Sequence, residues 1–247
     1  MDGILRCTRY AFGPNRLHYC GPDANKEILS YIEAGVTDPG LSSMLRSFQT
    51  MYPYLKLIAD ANGIKDHFDD RVVEAYWLGN ELLTAVGKKA LHRHLIDTLR
   101  VKTKVGLRPF SRIEDAIAAG AVPHHSFHVL SIWRRTGHAD IAHTVESLDA
   151  CRISWGPVVS VDGPNITVDR APVRLTRDTL ALDAPERVVV RRSLDSRDDI
   201  ERIEPGQIIT MHWGVPCEVV TPAQRDALAH VTAHHVRLAN TYARVTQ

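Results

Sequence analysis

The chain of 247 residues has 30 basic and 29 acidic side chains, a formal net charge of +1, with 44% hydrophobic and 24% charged residues. That length can bury a core without a disulfide or metal staple, and the balanced charge lacks the basic footprint that nucleic acid or an anionic membrane requires. No apolar run of about eighteen residues occurs, and the opening MDGILRCTRYAFGPN lacks the apolar stretch of a signal peptide. A cytoplasmic protein with no membrane insertion is expected.

In chain order, the segment 24–35, after YAFGPNRLHYCGPDAN, shows helical spacing in Ile28, Tyr31 and Ile32. Asp38-Pro39 predicts a second helix, with Leu45, Phe48, Met51 and Leu55 on one side and a kink at Pro53. DDRVVEAYWLGNELLTAV reads as a third helix, KKALHRHLIDTLRVK as a fourth, and RIEDAIAAG as a short fifth closed by Gly120. HHSFHVLSIWRRTGH suits a buried strand or one side of a helix equally.

From Cys151 the character changes. The runs RISWGPVVSVDG, NITVD, APVRLT, DTLALDAP, ERVVVRRS and GQIITMHW are short, rich in Val, Ile and Thr, and separated by turn residues. Because an open sheet of that size would expose its edges, they imply a small closed β-barrel. Thr221-Pro222-Ala223-Gln224 is a capping box that launches a helix to about Ala243. The predicted fold is α+β: a helical domain over 1–145, then an OB-like β-barrel with a C-terminal helix over 146–247, the boundary falling between Gly137 and Asp149.

Four cysteines, at 7, 20, 151 and 217, form no C-x-x-C pair, and in a reducing compartment each is by default a small buried thiol. Cys151 stands at the head of the β-rich half and His212 ends a later strand-like run, a pairing of residue types that suggests a metal. His124 and His128, in H-H-x-x-H, would face the same way on a helix or a strand and form a second candidate metal pair. No acid lies among them and H-E-x-x-H is absent, so a hydrogen-bonded structural cluster is the alternative. His235 shares a helical stripe with Leu228, Val231, Leu238 and Tyr242 and is expected to face the barrel as a satisfied core histidine. Cys20 sits in HYCGPD, where Gly21 and Pro22 force a turn that presents the thiol or packs it. Cys20, Trp155, Trp213 and Cys217 are the candidate partner contacts. No Ser-His-Asp arrangement, P-loop, G-x-G-x-x-G or paired-carboxylate spacing stands out, so classical enzyme chemistry has little support.

Residues 151–163, CRISWGPVVSVDG, with the strand ending in Val168-Asp169, resemble the opening of the HypC/HupF family of NiFe-hydrogenase assembly chaperones. Ile203 to Gly214, IEPGQIITMHWG, followed by a Thr-capped helix, is similar to that family's glycine-led strand ending in His-x-Gly. The resemblance covers about residues 149–230 and departs from the family in one respect: 150 residues precede Cys151, which in the small chaperones follows the initiator methionine. It implies an accessory protein of NiFe-hydrogenase maturation that docks the large-subunit precursor or a maturation protein and carries iron as an Fe(CN)2(CO) fragment, with Cys151 as thiolate ligand and His212 as the second contact. The whole chain also resembles a bacterial family marked by YCGP near its start and an EAYWLGN helix. Two other readings stand beside these: a His/Cys-based metal- or haem-binding enzyme using His124, His128 and Cys20, and an oligonucleotide-binding barrel using Trp155 and Trp213, which the balanced charge disfavours.

Overall fold

A computed structural model describes residues 1–134, 141–192 and 202–243. Asp2 caps the first helix, α1 (Gly3–Asn15), its carboxylate accepting from the Leu5 amide at 2.9 Å. Gly13-Pro14, which gave this stretch the look of a loop, falls in the last turn of α1, where the missing proline amide costs a single ladder bond. Then follow α2 (Asn25–Ala34), α3 (Pro39–Arg46), capped by Asp38 with Pro39 at its first position, and α4 (Met51–Ala61). The long third helix of the sequence reading is divided: α5 (Asp70–Trp77) stops before Gly79, whose φ is 89°, and a 3-10 turn (Glu81–Ala85) restarts under an Asn80 cap. α6 (Lys88–Arg93) runs into a π-helical turn (His94–Thr98), and α7 (Val101–Val105) and α8 (Leu107–Ala118) close the helical run.

The ambiguous HHSFH segment is helical. α9 (His125–Phe127) continues as a π-helical turn (His128–Ile132). α10 (Val145–Cys151) is launched by a reciprocal capping box between Thr144 and Ser147, so Cys151 ends a helix and the first strand begins only at Ser154.

The strands are β1 (Ser154–Asp162), β2 (Asn165–Arg170), β3 (Val173–Thr176), β4 (Thr179–Leu182), β5 (Glu186–Arg191), β6 (Ile208–His212) and β7 (Val215–Val220). Five form an antiparallel sheet in the order β5-β2-β1-β6-β7, while β3 and β4 form a separate hairpin. β5 and β7 approach one another, yet no ladder joins them, so no closed barrel is found among the described residues. In place of the expected barrel is a five-stranded sheet whose end strands approach without pairing. The reason is local: β3 and β4 leave the sheet to pack on α10 and on the final helix, α11 (Pro222–Ala243).

The sheet and helices share a core. One continuous apolar cluster runs from Cys7 and Tyr10 through Leu55, Tyr76 and Phe127 to Ile153, Cys217, Leu228 and Val231. A second, around Val158, Ile166, Val168 and Ile209, lies within the sheet. α1 packs directly on β6 and β7, and Gly13 permits it: a Cβ there would overlap the His212 carbonyl. Gly13→Ala is therefore expected to lower stability by about 1–3 kcal/mol, measured as a fall in the urea midpoint, with no change in helix content.

Candidate metal centre

His212 is set by three backbone devices. The β6–β7 connection is the two-residue turn Trp213-Gly214, with φ of 51° and 72°, the mirror-image geometry that suits a hairpin's twist. The Trp213 amide donates to the Ala150 carbonyl at 2.8 Å, tying the turn to the end of α10, one residue from Cys151. Finally, His212 Nδ1 lies 2.6 Å from the Tyr10 carbonyl. That carbonyl is the one whose helical donor would be residue 14, and proline has no amide to give. The proline in α1 thus frees an acceptor that fixes the His212 ring with its proton on Nδ1. His212 Nε2 is left buried with no hydrogen-bond partner.

His125, the first residue of α9, completes the group. Its Nε2 donates to the Cys151 carbonyl at 2.7 Å and its Nδ1 is 3.3 Å from the Tyr76 hydroxyl. One ligand atom each from His125, Cys151 and His212 lies within 4.8 Å of the other two, and all three residues are buried. Trp77 walls the group, its ring centroid 4.7 Å from that of His125 and 5.6 Å from that of His212. Beside it is a cavity of about 50 Å3 lined by Cys20, Tyr76, Trp77 and His128 as well as the three donors.

Electrostatics keep the imidazoles neutral, the form that binds metals. Burial pulls His212 down to about 4 against the opposing Tyr10 carbonyl, and holds His125 well below the usual histidine range, with His212 pushing the same way. A thiolate and two neutral imidazoles form a donor set for Fe(II), Zn(II) or copper, and three protein donors leave room for an exogenous ligand.

The structure brings Cys151 and His212 together, as the resemblance implied, and adds His125, which the sequence reading passed over in favour of its neighbours. His124 and His128 are not joined. His124 is the N-cap of α9, accepting from the Ser126 amide at 3.0 Å and sharing the Ser126 hydroxyl with His235, at 2.8 and 2.7 Å. His128 instead meets the Tyr54 hydroxyl at 3.2 Å. His235 turns to α9 and not to the sheet, taking the Val122 amide at 3.3 Å. The side chain of Tyr242, at the far end of its predicted stripe, lies outside the described residues.

Cys20 is half-buried and lines the cavity. Cys217 is buried on β7, its thiol pushed up by burial and by Glu218. Trp155 lies half-buried under the Arg152 guanidinium at 5.7 Å, and Trp213 packs on Tyr19 at 4.8 Å between centroids, so the two tryptophans belong to separate local contacts. A buried charge network sits on another side of α1: Arg6 Nε is 3.2 Å from Glu218, and the Tyr10 hydroxyl donates to Glu218 at 2.7 Å.

Six buried histidines, 94, 124, 125, 128, 212 and 235, are all held below 6.5 chiefly by burial. Their folded values lie under the unfolded one, so protons bind the unfolded chain preferentially below 6.5. Stability should be level above pH 7 and fall as the pH drops from about 6.5 towards 4, each histidine removing up to about 1.4 kcal/mol per pH unit. Urea midpoints at pH 8, 7, 6 and 5 check this; equal midpoints at pH 7 and 5 would contradict it.

No described helix is long and apolar enough to cross a membrane. The chain belongs to a family of unknown function, DUF6390, whose model matches residues 1–246. No curated protein and no solved structure matches it.

Proposed function

We propose that the protein binds a transition-metal ion through His125, Cys151 and His212, and that this centre serves NiFe-hydrogenase maturation, the chain docking a large-subunit precursor or maturation protein and carrying iron. The observation that carries the metal reading is the meeting of three buried ligand atoms within 4.8 Å, one of them an imidazole nitrogen without a hydrogen-bond partner. An unsatisfied buried acceptor costs about 1–3 kcal/mol, a cost that a bound cation removes. The hydrogenase assignment rests on the likeness of residues 151–163 and 203–214 to the HypC/HupF chaperones, in which a cysteine and a histidine handle Fe(CN)2(CO).

The residues fit such a guest in two ways. Iron of low spin suits a soft thiolate with imidazole beside it. A divalent ion on one thiolate and two neutral rings keeps a positive charge, which anionic small ligands such as cyanide offset. Haem does not fit: sites for ligands of that size occupy about 300 Å3 or more, against a cavity of about 50 Å3. The same small volume argues against a metalloenzyme acting on a large substrate.

Metal analysis after anaerobic purification from a hydrogenase-expressing host tests the first claim. Near-stoichiometric metal is expected in the unaltered chain, with at least a tenfold loss in Cys151→Ala, His212→Ala or His125→Ala and retention in His124→Ala. Loss on His124→Ala alone would move the site. Infrared spectra test the second, since cyanide and carbonyl stretches are expected on the unaltered chain and not on Cys151→Ala, and capture of neither the large-subunit precursor nor a maturation protein would count against hydrogenase service. Pro14→Ala supplies the Tyr10 carbonyl with a helical donor that competes with His212, and is expected to weaken metal binding about tenfold while the chain remains folded.

A further inference from the structure

The cavity beside the three donors has a chemical imbalance. A divalent cation there, on one thiolate and two neutral imidazoles, carries one uncompensated positive charge among buried donors, and burying such a charge is costly. Among the described residues that line the cavity there is no aspartate or glutamate. Among the described lining side chains, Cys20 is the other thiol besides Cys151, a soft donor able to supply a second anion.

The turn that bears Cys20 is built with care. Asn15, 1% exposed, donates through Nδ2 to the carbonyls of Cys20 at 2.9 Å and of Pro22 at 2.8 Å. Gly21, at φ 82°, lies flat against the Phe48 ring, where a side chain would have no space. These contacts fix the backbone of Cys20 at the cavity wall. Facing the same cavity is His212 Nε2, buried and without a hydrogen-bond partner, an independent sign that a ligand belongs in that space. The Cys20 sulfur stands outside the group whose donor atoms lie within 4.8 Å of one another, so closure requires rotation about its χ1 as the ion enters.

Given the metal centre proposed above, we infer that Cys20 is its closing ligand, a second thiolate that completes a His2Cys2 set around a divalent ion. Cys20 then releases a proton on binding, as Cys151 does, and the loaded site is electrically neutral. It also makes the bare-ion state a closed one, which an exogenous anion opens by displacing the sulfur of Cys20 and not that of Cys151.

The test is anaerobic Co(II) titration of the full chain. Cys20→Ser is expected to weaken Co(II) binding about tenfold or more and to remove about half of the thiolate-to-cobalt absorption. In the unaltered chain, Co(II) should shield Cys20 from iodoacetamide, read by mass spectrometry. A Cys20→Ser chain with unaltered affinity and absorption overturns the assignment of Cys20 and leaves the three-residue centre standing. If no Co(II) binds to the unaltered chain, both fall. Should Cys20→Ser fail to fold, alkylation of the unaltered chain decides: equal rates at Cys20 with and without Co(II) reject the proposal.

Discussion

A carbonyl without a helical donor organises this molecule. Pro14 cannot donate to Tyr10, and the freed oxygen accepts from His212 Nδ1 at 2.6 Å. Around that bond the last turns of α1 reach the β6–β7 hairpin and the Cys20 turn. Gly13 lets the helix meet the His212 carbonyl, Asn15 clamps the turn that holds Cys20, and the Tyr10 hydroxyl reaches Glu218 and Thr210 on the two strands of the hairpin. A single helical segment therefore sets the position of β6, β7 and a loop far from them in sequence. The apolar core crosses the expected boundary at residue 145, with Cys7 and Tyr10 in the same cluster as Ile153 and Cys217.

Charge and softness are kept apart across α1. Arg6, Glu218, Asp70 and Glu74 form an ion-paired group, with Arg6 reaching Asp70 at 2.8 Å and Glu74 at 3.1 Å, and there each buried charge has a partner of opposite sign, as burial demands. Ala11 and Pro14 face the cavity instead, with Trp77 and two imidazoles that desolvation holds neutral. A carboxylate in that cavity would favour a hard ion with oxygen ligands. Its absence from the described lining leaves sulfur and nitrogen, the donors of the softer transition metals.

Much of the helical half was legible because its helices announce their ends. Asp38-Pro39 and Thr221-Pro222-Ala223-Gln224 act as caps in the structure, with the Leu41 amide on Asp38 at 2.8 Å and the Gln224 amide on Thr221 at 3.2 Å. α1 was hidden because Gly-Pro reads as a loop wherever it falls, and only tertiary contact shows it to be a last turn. α10 was hidden by the β-branched run that follows Cys151. The barrel was overdrawn for a similar reason: six of the seven strands were read as strand-like and β7 (Val215–Val220) was missed, but the pattern does not say that β3 and β4 desert the sheet for α10 and α11. At the site, Cys151 and His212 came from a family likeness, whereas His125 had a visible signal, its place in H-H-x-x-H, that was misassigned. An i, i+4 rule presumes a continuous helix; here the first histidine is a cap outside it and the last begins a π-helical turn.

The place of Cys151 at the end of a helix bears on its chemistry. Nucleophilic cysteines are favoured at helix N-termini, where partial positive charge supports a thiolate. Cys151 is the last residue of α10, beside carbonyls that carry partial negative charge. Its own carbonyl is taken by His125 and that of Ala150 by the Trp213 amide, so the helix end is already tied to both histidine-bearing segments. The partial negative charge of a helix end favours a cation beside it. That placement makes Cys151 a suitable anchor for a metal, with His125 held by the Cys151 carbonyl and His212 by that of Tyr10.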